Sequence, residues 1–292
     1  MKKMKLLHLC RPWESLLCCL LICSIAYAQG ADNLKRIQAA FFSAGSDQVL
    51  VAAHRGLHRV YPENSLSAFR HAIEVGVDII ETDVRLSRDG VPVLMHDRTI
   101  DRTTNGKGKV EDLALSELRQ LRLIDRDSTS RHGILTLKEA LELARGRIKV
   151  DLDLKVSDLE PVMDVVRETG TEAEVVFFDG DDRVLQKIQA ADRKFTLMPR
   201  THSYQQTEQA LRAFHPPIVH IGPDFYTHEV VALARRHDAR VWINALGEVD
   251  QHLRSGDKDG ALSGLLGNGA SVIQTDEPEI VLAYLRKRGL HL

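Results

Sequence analysis

Three features of the sequence predict an α/β fold, a TIM (β/α)8 barrel with a small insertion after the second strand. Eight short apolar runs rich in β-branched residues recur along the chain, amphipathic helical stretches separate most of them, and helix-start signals fall where those stretches begin. An open doubly wound sheet also alternates strand and helix. The count alone does not separate the two.

The chain has 292 residues and opens with a basic stretch (Lys2, Lys3, Lys5, Arg11), an apolar run from Ser15 to Ile25, and Ala26-Tyr27-Ala28. That is the layout of a secretory signal peptide cut after Ala28, and the run is shorter than the ~20 apolar residues of a membrane anchor. The expected organisation is therefore a signal peptide over 1–28 and a single barrel domain over 29–292. Export to the periplasm or the medium follows, with no stable membrane anchor after cleavage. All four cysteines (Cys10, Cys18, Cys19, Cys23) lie in the leader, so the remaining 292 − 28 = 264 residues hold no disulfide. The whole chain carries 39 Lys and Arg against 41 Asp and Glu; the leader takes four and one of these, leaving 35 against 40. A mildly acidic protein has no general attraction to nucleic acid or to an anionic membrane, and neither is expected as a partner. The sequence carries no signal for oligomeric state.

The strand candidates are Val49–His54, Asp78–Val84, Ile148–Leu154, Glu174–Phe178, Phe195–Pro199, Ile218–Gly222, Arg240–Asn244 and Ala270–Thr275. Helical patterns run over Ser65–Val75, Leu137–Ala144, Leu159–Glu168, Arg183–Ala191, Tyr204–Phe214, Glu229–His237 and Glu279–Arg288. Thr136-Leu137-Lys138-Glu139 reads as a capping box, Asn64 as a cap of the first helix, and Asp276 with Pro278 as the opening of the last. Between Arg98 and His132 the chain is polar and charged and breaks the alternation. It is read as an insertion over the barrel mouth, the face where barrel loops carry function.

Chemistry-bearing residues concentrate between His54 and Asp97. Glu81 and Asp83 are two apart in an apolar run, so on a strand they share one side. Two acids there are costly to bury unless a cation neutralises them, and hard cations such as Ca²⁺ or Mg²⁺ take carboxylate oxygens. A second strand repeats the pattern: Asp151, Asp153 and Lys155 share one side while Val150, Leu152 and Leu154 face the helices. Asp153 is placed to complete a metal shell and Lys155 to meet an anionic oxygen. Asp151, one repeat deeper, is read as an internal ion-pair or hydrogen-bond partner. His54 and His96 end strand-like runs beside these acids, a setting for one proton acceptor and one donor. Arg55 offers a planar fork for phosphate oxygens. Glu63 and Asn64 are read as helix-capping residues, with Glu63 also within the range of residues that contact a metal-bound water or a histidine. Asp97 is read as an orienter. Trp242 has two readings, a cover for an apolar part of the substrate or a core residue, and is carried as a substrate contact. His58, His132, His202, His215, His220 and His237 lack such context and are read as structural.

His54-Arg55-Gly56, Pro62-Glu63-Asn64-Ser65, Glu81-Thr82-Asp83-Val84, Asp89-Gly90-Val91-Pro92-Val93 and His96-Asp97 together resemble the glycerophosphodiester phosphodiesterase family. So do the run Asp101 to Gly108, Leu135-Thr136-Leu137, Leu154-Lys155 and Thr275-Asp276-Glu277-Pro278. The likeness extends from about Val51 to the last helix. It implies a TIM barrel, a divalent cation (Ca²⁺ or Mg²⁺) held by Glu81 and Asp83, His54 and His96 as an acid/base pair, and Arg55 and Lys155 near the phosphate. The implied reaction takes a glycerophosphodiester such as glycerophosphocholine or glycerophosphoethanolamine to glycerol 3-phosphate and an alcohol, with the neighbouring glycerol hydroxyl as nucleophile. The sequence departs from the family at Asp153, where glutamate is usual, and at Phe177-Phe178-Asp179, where a serine-containing strand end is usual. Two alternatives stand beside this reading: phospholipase D-like action on lysophospholipids, and a non-catalytic phosphodiester-binding protein. The polar character of 98–132 argues against a lipid-binding mouth.

Overall fold

The computed structural model describes residues 32–125 and 128–291; the leader expected over 1–28 lies outside them. Among the described residues no helix is long and apolar enough to cross a membrane.

The strands are β1 (Leu50–His54), β2 (Ile79–Leu86), β3 (Pro92–Leu94), β4 (Ile124–Asp125), β5 (Ser128–Thr129), β6 (Lys149–Leu154), β7 (Val175–Asp179), β8 (Thr196–Thr201), β9 (Ile218–Ile221), β10 (Arg240–Asn244) and β11 (Val272–Thr275). Eight of them, β1, β2 and β6 to β11, are parallel neighbours in that order, and β11 returns to pair with β1. This closes the barrel, and these eight are the eight runs read from the sequence. Their near-continuous apolar character reflects burial on both faces. Outward residues such as Val150, Leu152 and Ile80 pack under the helices, while Leu50, Ile79, Val176, Met198 and Trp242 fill the interior.

The helices are α1 (32–41), α2 (Leu66–Val75), α3 (Leu115–Leu118), α4 (Leu137–Ala144), α5 (Glu160–Thr169), α6 (Asp182–Ala191), α7 (Tyr204–Phe214), α8 (His228–Arg236), α9 (Glu248–Ser255), α10 (Lys258–Gly267) and α11 (Pro278–Lys287). The capping box of α4 forms as expected: Thr136 Oγ1 accepts from the Glu139 amide at 3.2 Å and Glu139 returns the bond to the Thr136 amide at 2.9 Å. The cap of α2 is Ser65, not Asn64. Sequence reading passed over α9, whose polar composition hides its period, and α10, where three glycines weaken the helical signal.

Helix α1 was also unread, and it closes the bottom of the barrel. Ala40 and Phe41 join the interior apolar cluster, and the Lys149 ammonium sits 4.4 Å from the centre of the Phe41 ring. Asp78, at the foot of β2, accepts from Arg36 of α1 at 2.6 Å, from the Val51 amide at 2.8 Å, and pairs with His291 at 2.8 Å. Arg240 donates to the carbonyls of Ala40, Gln48 and Ser271. Both ends of the described chain are thus tied to one buried aspartate.

After β2 the chain turns at Gly90, whose φ of +77° suits glycine, and β3 runs back antiparallel along the upper part of β2. The segment that follows has its own small core of Val93, Met95, Ile100, Val110, Leu118, Leu123 and Ile134. A bridge between Val93 and Thr136 ties its base to the start of α4. Its apolar side chains are spent on this satellite core, leaving a polar surface toward the mouth.

Candidate active site

Register places the acids. Glu81 lies level with Asp151, and Asp83 with Asp153, across the parallel β2–β6 pair. Alternation then turns all four inward. One carboxylate oxygen from each of Glu81, Asp83 and Asp153 falls within 4.8 Å of the others. Glu81 and Asp83 are only 4% and 1% exposed. Burial pushes the Glu81 carboxyl well above the usual range, and Asp83, Asp153 and Asp151 push it further. Burial likewise raises Asp153, against the pull of Lys155, whose ammonium lies 2.6 Å from Asp153 Oδ2 and 3.8 Å from Asp83 Oδ1. Asp83 Oδ1 is buried without a hydrogen-bond partner. A converging set of oxygens with an orphaned acceptor is what a hard divalent cation fits. Asp151, fully buried below them, does not find the partner expected of it: its Oδ1 accepts no hydrogen bond, and burial holds its carboxyl well above the usual range.

The loop after β1 is shaped around these acids. Arg55 and Asn64 both adopt positive φ (+54° each), a conformation that costs a non-glycine residue about 1–3 kcal/mol. At Arg55 this backbone turn aims the amide at Glu81 Oε2, 3.0 Å away, while the guanidinium reaches Asp83 (3.4 Å) and Glu63 (3.0 Å). Gly56 follows at φ +77°; a Cβ there would meet Phe69 Cδ1 at 2.8 Å. Asn64 accepts from Thr82 Oγ1 at 2.7 Å and donates to Asp83 Oδ2 at 3.3 Å, which orients the ligand-set carboxylate rather than capping a helix.

Each of the two expected histidines has its Nδ1 on an aspartate. His54 Nδ1 lies 2.7 Å from Asp276, and His54 Nε2 lies 4.0 Å from Glu81 Oε2. His96 Nδ1 lies 2.7 Å from Asp97. Burial lowers the His54 pKa more than Asp276 raises it, which keeps the ring neutral and able to accept a proton. Asp97 is held well below the usual carboxylate range, chiefly by hydrogen bonds from Arg102 that outweigh its partial burial. Arg102 is the hub of the outer network. It grips Asp97 (2.6 and 3.1 Å) and Glu63 (2.7 and 2.9 Å), and Glu63 in turn holds Arg55. Glu63 therefore joins two arginines instead of meeting a histidine.

Trp242 is not at the mouth. It is fully buried in the barrel interior, where its indole N–H donates to Gln274 Oε1 at 3.0 Å and to Asn244 Oδ1 at 3.3 Å. Strand alternation sets its ring one layer below the rim, so the core reading replaces the substrate contact. Two residues passed over as site candidates join it. Asp276, beyond its place ahead of the last helix, orients His54, and His58 puts Nε2 3.5 Å from Asp276 and Nδ1 2.7 Å from the His54 carbonyl. The available signal was topological: β11 pairs with β1, so the residue after the last strand abuts the residue ending the first.

Residues 54–243 match the sequence profile of the glycerophosphoryl diester phosphodiesterase family. The chain belongs to that family. It is an enzyme, a phosphodiester hydrolase. A glycerophosphodiester phosphodiesterase of Caldanaerobacter subterraneus subsp. tengcongensis is 29% identical over 262 residues, spanning 83% of this chain and all of that one. A glycerophosphodiester phosphodiesterase structure from Agrobacterium tumefaciens is 27% identical with a TM-score of 0.69, over 80% of this chain and 98% of that one. A glycerophosphoryl diester phosphodiesterase structure from Parabacteroides distasonis is 25% identical with a TM-score of 0.76, over 87% and 92%.

Proposed function

We propose that this family member cleaves glycerophosphodiesters, among them glycerophosphocholine and glycerophosphoethanolamine, to glycerol 3-phosphate and an alcohol. The observation that carries the reading is the three-acid cluster of Glu81, Asp83 and Asp153 with His54, Arg55 and Lys155 against it and His96, held by Asp97, acting electrostatically on Asp153. Those three acids would hold a divalent cation, Ca²⁺ or Mg²⁺, which when bound supplies Lewis-acid polarisation of a phosphoryl oxygen. Arg55 and Lys155 share the charge that develops on the phosphate.

His54, neutral at Nε2, takes the proton of the neighbouring glycerol hydroxyl as that oxygen attacks phosphorus. The bond from phosphorus to the alcohol oxygen breaks, and His96 donates its proton to that departing oxygen. Water then opens the cyclic phosphate with the proton roles reversed, giving glycerol 3-phosphate. Asp276 and Asp97 fix the two rings so that each Nε2 faces the substrate. The site acts on a soluble diester, in keeping with an insertion whose apolar residues are buried in its own core.

The test is release of glycerol 3-phosphate from both diesters by purified protein, with Ca²⁺ or Mg²⁺ and with chelator. Binding without product in the presence of either cation would overturn the reading. The leader expected over 1–28 supports an exported enzyme, in the periplasm or the medium; cell fractionation with mass measurement checks this, and a full-length cytoplasmic protein refutes it.

A further inference from the structure

The alternation that sets the acids continues upward into cations. On β2 the inward series is Glu81, Asp83, Arg85, and on the adjacent β6 it is Asp151, Asp153, Lys155. One repeat above the acid layer, Arg85 and Lys155 therefore stand side by side, with the Lys155 amide bonded to the Val84 carbonyl at 3.0 Å. Both line a cavity of about 230 Å³ between β2, the end of β6 and the insertion, together with Arg88, Arg98 and a single acid, Glu111. Arg98 is paired with Glu111 and Arg88 with Glu117, so those charges are matched. Arg85 is not. Its Nε and Nη2 donate to the His96 carbonyl at 3.1 and 2.8 Å, and among the described residues no carboxylate forms an ion pair with it. A half-buried guanidinium anchored by one edge, with Nη1 left for the cavity, is a preformed receptor for a planar or tetrahedral anion.

From this placement we propose that the cavity is a subsite for an anionic substituent on the alcohol half of the substrate, a carboxylate or a second phosphate, recognised by Arg85, with Arg98 neutralising Glu111 at the rim. The inference rests on the diesterase reading above, in which His96 protonates the departing alcohol. Arg85 holds the His96 backbone carbonyl and Lys155 lines the cavity, which in that reading sets the cavity beside both the phosphate and the residue that protonates the alcohol. Neutral or cationic headgroups gain nothing there.

Glycerophosphoserine and glycerophosphoethanolamine differ by one carboxylate and provide the test. In the wild type, kcat/KM for the serine diester exceeds that for the ethanolamine diester by about ten-fold, the value of one charge-assisted hydrogen-bond pair. In Arg85→Gln the ratio falls toward one, with the ethanolamine diester as internal reference for any general loss. Arg98→Gln, at an exposed position independent of the His96 contact, lowers the ratio by about three-fold. A wild-type ratio near one with normal ethanolamine turnover overturns the subsite and leaves the diesterase reading intact. A ratio that persists in both variants places the anion elsewhere and also overturns it. Failure to cleave either diester with Ca²⁺ or Mg²⁺ present sinks the diesterase reading itself.

Discussion

The two ends of the barrel bury charge in opposite ways. At the bottom, Asp78 accepts from Arg36, the Val51 amide and His291, and Arg240 is spread over three carbonyls. Opposite charges and backbone dipoles meet there under α1, with Arg36 Nη1, Arg240 Nε and His291 Nδ1 left without a hydrogen-bond partner among the described residues. At the mouth, four acids on β2 and β6 crowd together, with Asp83 and Asp151 each keeping an orphaned oxygen. Arg55 and Lys155 oppose them. What separates the ends is the sign of the charges: the end that crowds acids together is fitted to take a cation from outside, and the end that pairs opposite charges is scaffold.

The sharpest way to break this contrast is to damage each end and ask which property fails. His54→Ala and His96→Ala should each lower kcat/KM by ~10²–10⁴ while leaving the melting temperature unchanged. Equal loss of stability would mean that the histidines are structural. Asp78→Ala should do the reverse. Removing the shared partner strands Arg36 and His291, for a loss of roughly 3–5 kcal/mol in urea denaturation, with activity per folded molecule preserved at low temperature.

A smaller effect concerns Lys149, whose ammonium burial pulls down to about 7. Between that value and the ordinary lysine range the unfolded chain binds the proton and the folded one does not. Stability from this residue is therefore full above the ordinary range and is lost as pH falls through about 7, a difference of a few kcal/mol. Lys149→Met should flatten that rise between neutral and alkaline pH; an identical slope in both proteins would exclude it. The smallest change is expected at Asp151. In chelator, Asp151→Asn should raise stability by about 1–2 kcal/mol by removing a buried acid that has no partner. If the substitution destabilises instead, Asp151 belongs with the satisfied groups.

The strands were legible because burial on both faces writes them as β-branched apolar runs, and the acids stood out against that background. Alternation put Glu81 with Asp83 and Asp151 with Asp153 on one side of each strand, and the parallel β2–β6 pairing joins the two sets. Lateral partners were less accessible. Asp276 meets His54 only through closure of the barrel, and Arg102 meets Glu63 across 39 positions through the path of the insertion. Trp242 shows the limit of alternation: it gives the face, inward, but not the depth. Helix α1 carries little sequence signal, because its ten residues offer only Leu34, Ile37, Ala40 and Phe41 as an apolar stripe.

The hydrogen bond between His54 and Asp276 spans 222 positions. During synthesis the first stave waits with one open edge until the last is made, and parallel closure over such a separation is slow. The His54–Asp276 hydrogen bond and completion of the cylinder thus arrive in a single event. A nascent chain that stops short of residue 276 carries both imidazoles and every acid of the cluster, yet lacks the carboxylate that orients the first of them.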